Sequence, residues 1–122
     1  MSSEQKLTSY NYPDSYQQNQ AKKFRNRYNN HWKFRLALMR KLTSKFSLPR
    51  IGKKDKKDIT VGDIGCSIGT FAIEFAKLGY KSYGIDFDSK ALKIAEELCE
   101  EENVNVKFFY EPFDLITPSI TE

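Results

Sequence analysis

At 122 residues, 39% hydrophobic and 30% charged, the chain is sized for one domain with a modest core and is short for a complete enzyme. No apolar run approaches the ~18 residues of a membrane span, and the polar first twenty residues hold no signal-peptide core, so cytoplasmic residence is expected. Two cysteines, Cys66 and Cys99, are too few for a disulfide framework or a metal finger and read as buried free thiols. The net charge of +4 conceals a split: residues 22–57 carry 14 of the 20 Lys and Arg and one acid, Asp55, whereas residues 58–122 carry 5 bases and 13 acids. Such asymmetry marks a nucleic-acid or other acidic partner without specifying a fold.

Residues 1–20 show neither helical nor strand period and read as a flexible polar arm, docked at most through Tyr10, Tyr12 and Tyr16. From about Gln18 to Phe46, the residues Phe24, Tyr28, Trp32, Leu36, Met39, Leu42 and Phe46 recur at spacings of three and four. That periodicity predicts an amphipathic helix with its bases on the other faces, broken near Asn29-Asn30, where two weak helix formers meet. The plain reading packs the stripe on the rest of the chain. The other readings are a substrate-side cap, a face for RNA, in which aromatics stack on bases and cations meet phosphates, and a membrane-surface helix. Lone His31 reads as a surface or packing residue. Pro49, Gly52 and the run Lys53 to Asp58 form a solvated connector.

The informative stretch is Val61-Gly62-Asp63-Ile64-Gly65-Cys66-Ser67-Ile68-Gly69-Thr70. Ile59 to Ile64 reads as a strand, apolar on both parities and so expected to be buried on both faces of a parallel sheet. Gly65 and Gly69 let the backbone turn and approach a ligand closely. Phe71 to Leu78 reads as a helix stopped at Gly79. A second strand, Tyr83-Gly84-Ile85, ends at Asp86. Strand, glycine turn, helix, strand and terminal acid is how open α/β sheets hold a nucleoside, with the carboxylate on its ribose. The spacing is not that of a dinucleotide fingerprint. Asp63, just before the turn, disfavours a pyrophosphate and suits a nucleoside with a positive end, so a nicotinamide oxidoreductase ranks low. Asp88 or Ser89 is placed to cap the next helix, which leaves Asp86 for a ligand. The glutamates 96, 97, 100, 101 and 102 read as a solvated helix face rather than a metal site.

These residues carry a resemblance. Asp63-Ile64-Gly65-Cys66-Ser67-Ile68-Gly69 is similar to the first motif of the class I methyltransferases that use S-adenosylmethionine. Phe71 to Tyr80 resembles their first core helix with its glycine stop, and Tyr83 to Asp88 their second strand with its ribose-binding acid. The resemblance spans residues 59–116. It implies an α/β fold: an open parallel Rossmann-like sheet with three of the family's seven strands, here preceded by the basic helix. The implied parts are a flexible polar arm (1–20), a basic helical cap and connector (21–57) and a truncated cofactor-binding domain (58–122).

The implied activity is methyl transfer from S-adenosylmethionine to an acceptor the sequence does not name, by a chain that is inactive in isolation. By resemblance, the backbone of Gly65, Cys66, Ser67 and Gly69 approaches the methionine part and Asp63 positions its amino group. Asp86 accepts from both ribose hydroxyls, Phe87 lies by the adenine, and Glu111 or Asp114, after a third strand from Val106 to Tyr110, meets the adenine amino group. Ser67 stands where the family has a glycine, and Gly62 where it has a large apolar residue. Strand 1, central in the family's order 3-2-1-4-5-7-6, is left as an apolar edge for a protein partner. The rival from another class is a non-catalytic nucleic-acid- or partner-binding protein that uses residues 22–57 and a vestigial nucleotide fold.

Overall fold

A computed structural model describes residues 13–47 and 55–111. The expectations on Tyr10, Tyr12, Pro49 to Lys54 and Asp114 lie outside these residues. Helix α1 (Asp14–Arg25) leads through a 3-10 turn (Arg27–Asn29) into α2 (Trp32–Leu42), which ends in a π-helical turn (Thr43–Ser47). After a 3-10 turn at Lys56–Asp58 come β1 (Thr60–Ile64), α3 (Thr70–Lys77), β2 (Lys81–Asp86), α4 (Ser89–Glu102) and β3 (Val106–Tyr110).

The sheet is parallel, in the order β1-β2-β3, with Gly62 opposite Tyr83 and Asp86 opposite Tyr110. The crossovers are α3 and α4, as parallel pairing requires. Both helices pack on one sheet face: Ser82 donates to the Ala72 carbonyl of α3 at 2.7 Å, and Phe108 and Val106 pack on the core of α3 and α4. The expectation that β1 is buried on both faces does not hold. Among the described residues β1 is an edge strand, and Ile64 is 57% exposed. Gly62 has a local reason. A Cβ there would lie 2.2 Å from the Tyr83 ring, so the tyrosine fills the space that a larger β1 residue would take.

The predicted helix break at Asn29-Asn30 is present, and the asparagines make it by bonding backbone in place of the helical ladder. Asn30 accepts from the Trp32 N–H at 2.9 Å and donates to the Lys23 carbonyl at 2.8 Å. The arm reading needs correction: residues 14–20 are helical, with Gln17 and Ala21 buried. The stripe is only partly internal. Phe24, Trp32 and Leu36 join Ile68, Ile73, Ala91, Ile94 and Leu98 in one core, while Tyr28 and Leu42 are exposed. Arg27, one position before Tyr28, is buried instead.

Ionic contacts join the helical layer to the α/β body. Arg27 pairs with Glu102 of α4 and lies 3.6 Å from Glu74 of α3. Arg40 meets Glu74 at 2.7 Å and Arg25 meets Glu101 at 2.7 Å, while within the body Lys77 of α3 meets Glu102 at 2.8 Å. Two glutamates read as a solvated face are therefore interface anchors.

Candidate functional site

The turn after β1 is shaped by three left-handed residues: Gly65 (φ 76°), Ser67 (φ 53°) and Gly69 (φ 79°). Such φ values cost an ordinary L-residue roughly 1–2 kcal/mol, which accounts for the two glycines. Their surroundings differ. A Cβ on Gly65 would meet no atom within 4 Å, whereas one on Gly69 would come 2.8 Å from the Phe108 ring and 3.1 Å from Ala95. Gly69 is thus needed for packing of the helix start, while Gly65 presents bare backbone on an open side. Ser67, where glycine is usual, is held in its conformation by the acid at the end of β2.

That acid is Asp86, which is buried. Its Oδ2 accepts from the Ser67 N–H at 2.7 Å and its Oδ1 from the Asp88 N–H at 2.9 Å. The Gly65 and Cys66 N–H groups both donate to the Ile85 carbonyl, at 2.7 and 3.0 Å. The β2 terminus and the turn are therefore one hydrogen-bonded unit, with the carboxylate aimed at the turn. Capping belongs to Asp88, whose Oδ1 accepts from the Lys90 and Ala91 N–H groups at 3.0 and 3.3 Å. Asp86 is thus free of that task, with lone pairs to spare after two hydrogen bonds.

Asp63 lies at the end of β1, half-buried. Burial first, and then the charge of Asp86, push its carboxyl above the ordinary value. A positive group beside it would reverse that shift. Cys66 is buried, and its thiol is pushed up to about 12 by burial first, then by Asp86 and Asp63, so it is no nucleophile. It is a spacer, since a Cβ on Gly84 would lie 2.7 Å from its Sγ. Glu111 donates its backbone N–H to the Asp86 carbonyl at 3.0 Å, so its backbone is fixed at the Asp86 end of β2. Phe87, half-buried, follows directly.

Sequence reasoning missed the helical side of this site. A cavity of about 300 Å³ lies beside the turn, bounded by Asp63, Gly65 and Ser67 and also by Tyr16, Trp32 and Arg35. Gln17 bridges the two ends of the unit. Its Nε2 donates to Asp88 Oδ2 at 3.2 Å, and its Oε1 accepts from the Ser67 hydroxyl at 3.4 Å. The signal was available: Gln17, Ala21 and Phe24 share one helical face at spacings of four and three, and a polar residue on a core-facing stripe needs partners.

Residues 61–118 match the family model described as the methyltransferase domain. This part of the chain resembles the methyltransferases that use S-adenosylmethionine. It is 34% identical over 62 residues to a candidate methyltransferase of Geobacillus sp. (strain WCH70), covering 51% of this chain and 24% of that protein. It is 31% identical over 85 residues to the ribosomal protein L11 methyltransferase of Hydrogenovibrio crunogenus (strain DSM 25203 / XCL-2), covering 64% of this chain and 29% of the other. The chain thus spans about a quarter of the length of the curated relatives it matches. The fold is shared with the PH0226 protein of Pyrococcus horikoshii OT3, at a TM-score of 0.55 and 22% identity over 69% of this chain and 34% of that one. No helix among the described residues is long and apolar enough to cross a membrane.

Proposed function

We propose that the turn from Asp63 to Gly69 and the carboxylate of Asp86 bind S-adenosylmethionine, and that the whole protein transfers its methyl group to an acceptor. The observation that carries this reading is the single hydrogen-bonded unit in which Asp86 faces the turn through the Ser67 N–H. The open side of Gly65, where even a Cβ would find no neighbour, fits close approach of a ligand to backbone. When bound, the cofactor supplies an activated methyl group on a sulfonium. The chain's own residues bind and orient. Asp86 accepts from the ribose hydroxyls, with its angle set by the Ser67 and Asp88 N–H groups. Asp63 neutralises the ammonium of the methionine part, Phe87 walls the adenine and Glu111 meets its amino group. Positioning of this kind is much of what an in-line transfer asks of a protein. Gln17 lies between Ser67 and Asp88, so its side chain shifts to admit the ribose.

Titration of S-adenosylhomocysteine against wild type and Asp86→Asn tests this. Asparagine keeps an oxygen for the Ser67 N–H but loses the charge and the acceptor for the Asp88 N–H, so affinities are compared at equal folded fraction. The expected loss of affinity is about 10- to 100-fold, as for a hydrogen bond to a charged group. Equal affinity in the two proteins would refute the site.

A second reading is favoured by one observation. Lys22, Lys23 and Arg25 line an open hollow of about 630 Å³ with Asn19, Asn26 and Asn30, a face suited to an acidic partner such as RNA. Binding there would weaken steeply with salt. Against base stacking, Phe24 and Trp32 are buried.

A further inference from the structure

The cations of the helical layer fall into two sets. Arg25, Arg27 and Arg40 reach the α/β body, and each holds a glutamate. Lys33 and Lys41 of α2 are exposed and form no ion pair among the described residues. With exposed Ala37 they make one row along the helix, at spacings of four. The adjoining row is apolar and equally open: Phe34 is 69% exposed, Leu38 56% and Leu42 46%. Residues four apart stack on one face of a helix, so α2 turns to solvent an apolar strip edged by a cationic one. The apolar surface continues inward, because Leu38 and Leu42 line, with Met39, Phe71 and Phe75, a hollow of about 430 Å³. No aspartate or glutamate stands between Asp14 and Asp55, so α2 carries no acid on any face.

A second copy of the chain is a poor cover for this strip. It would set the same lysines face to face. An 11-residue helix also offers a strip of only about 160 Å², far below the roughly 800 Å² that a stable pair buries on each side. RNA would meet the cations but leave the leucines wet, since they have no ring face for a base. A bilayer with anionic headgroups matches both rows at once. Lysine heads stay at the phosphates while their stems and the apolar row enter the acyl boundary.

We propose that α2 is a membrane-surface helix, which seats the chain on anionic lipid through Phe34, Leu38 and Leu42 with Lys33 and Lys41 at the headgroups. The helix lies on the bilayer rather than crossing it. Its apolar row supplies the depth, and its cations supply the preference for negative lipid. Neither row belongs to the site at the turn, so this surface is independent of the methyl-transfer reading.

Co-sedimentation of the 122-residue chain with phosphatidylcholine vesicles, with and without an equal part of phosphatidylserine, tests this. The chain is expected to sediment with the mixed vesicles and to stay in solution with phosphatidylcholine alone. Lys33→Gln and Lys41→Gln should each weaken the partition about 5-fold. Phe34→Ser combined with Leu38→Ser should weaken it at least about 10-fold. All four side chains stand in solvent, so the melting temperature of each variant should match wild type. Equal sedimentation with both vesicle types, or none with either, overturns the proposal. So does a serine variant that binds as wild type does, because charge alone would then be the cause. Lys22→Gln with Lys23→Gln, on α1, weakening the partition as much as the α2 lysines would overturn it for the same reason. Self-association in sedimentation equilibrium that the serine substitutions dissolve would put a second copy on the strip. Binding of an RNA oligonucleotide that they abolish would put nucleic acid there, and either result overturns the membrane.

Discussion

In the helical layer, residues 14–47, Arg25, Arg27 and Arg40 each reach a carboxylate of the α/β body. In the body, Asp63 and Asp86 form no ion pair among the described residues, and Asp86 is satisfied by backbone N–H groups alone. The contrast separates two uses of charge. Matched pairs dock the helices, and they tolerate burial because each ion has a counter-ion. At the turn no cation offsets the two acids among the described residues, and the Asp63 carboxyl is raised by burial and by the charge of Asp86.

The largest effect should come from the docking contacts. Arg27→Met removes a guanidinium that is itself only 2% exposed, and leaves Glu74 to Arg40 and Glu102 to Lys77. With those pairs kept, the loss should fall at the low end of the roughly 3–5 kcal/mol for breaking a buried pair from one side, which urea denaturation would show. Glu101→Gln, at the half-exposed Arg25 pair, should cost less than about 1 kcal/mol. Equal losses would mean that burial does not distinguish the two contacts.

The turn offers a sharper comparison. Gly69→Ala meets both the left-handed backbone and the Phe108 ring, for a loss of about 2–3 kcal/mol. Gly65→Ala meets the backbone cost alone, about 1 kcal/mol, yet should reduce S-adenosylhomocysteine affinity the more at equal folded fraction. Thermal melts paired with titrations check both, and the reverse ranking would place the ligand elsewhere.

The smallest effect is a slope. Because the folded-state value of Asp63 lies above the unfolded one, the folded chain holds that proton more tightly. Its contribution to stability is therefore complete below the ordinary carboxylate range and is lost as pH rises through the raised value. Asp63→Asn should flatten the fall of melting temperature as pH rises above the ordinary carboxylate range. The bound ammonium of S-adenosylmethionine should flatten it too.

Much of the site was legible in the residues. Glycines at 65 and 69 announce a tight turn, an acid closing the second apolar run announces a strand end facing it, and the alternation of elements announces a parallel sheet. Each of these is a local preference, set by sterics and periodicity over a few neighbouring residues, and so survives without knowledge of the fold. The choice of Arg27 over Tyr28 as the buried residue was not legible, because it depends on glutamates 47 and 75 positions away closing around one guanidinium. Nor was the descent of Gln17 onto Ser67 and Asp88, or the standing of Arg35 across the cavity from Asp63. Those are decisions of tertiary packing: a charge or an amide takes the position where distant partners offset its loss of water, and no window of local sequence contains those partners.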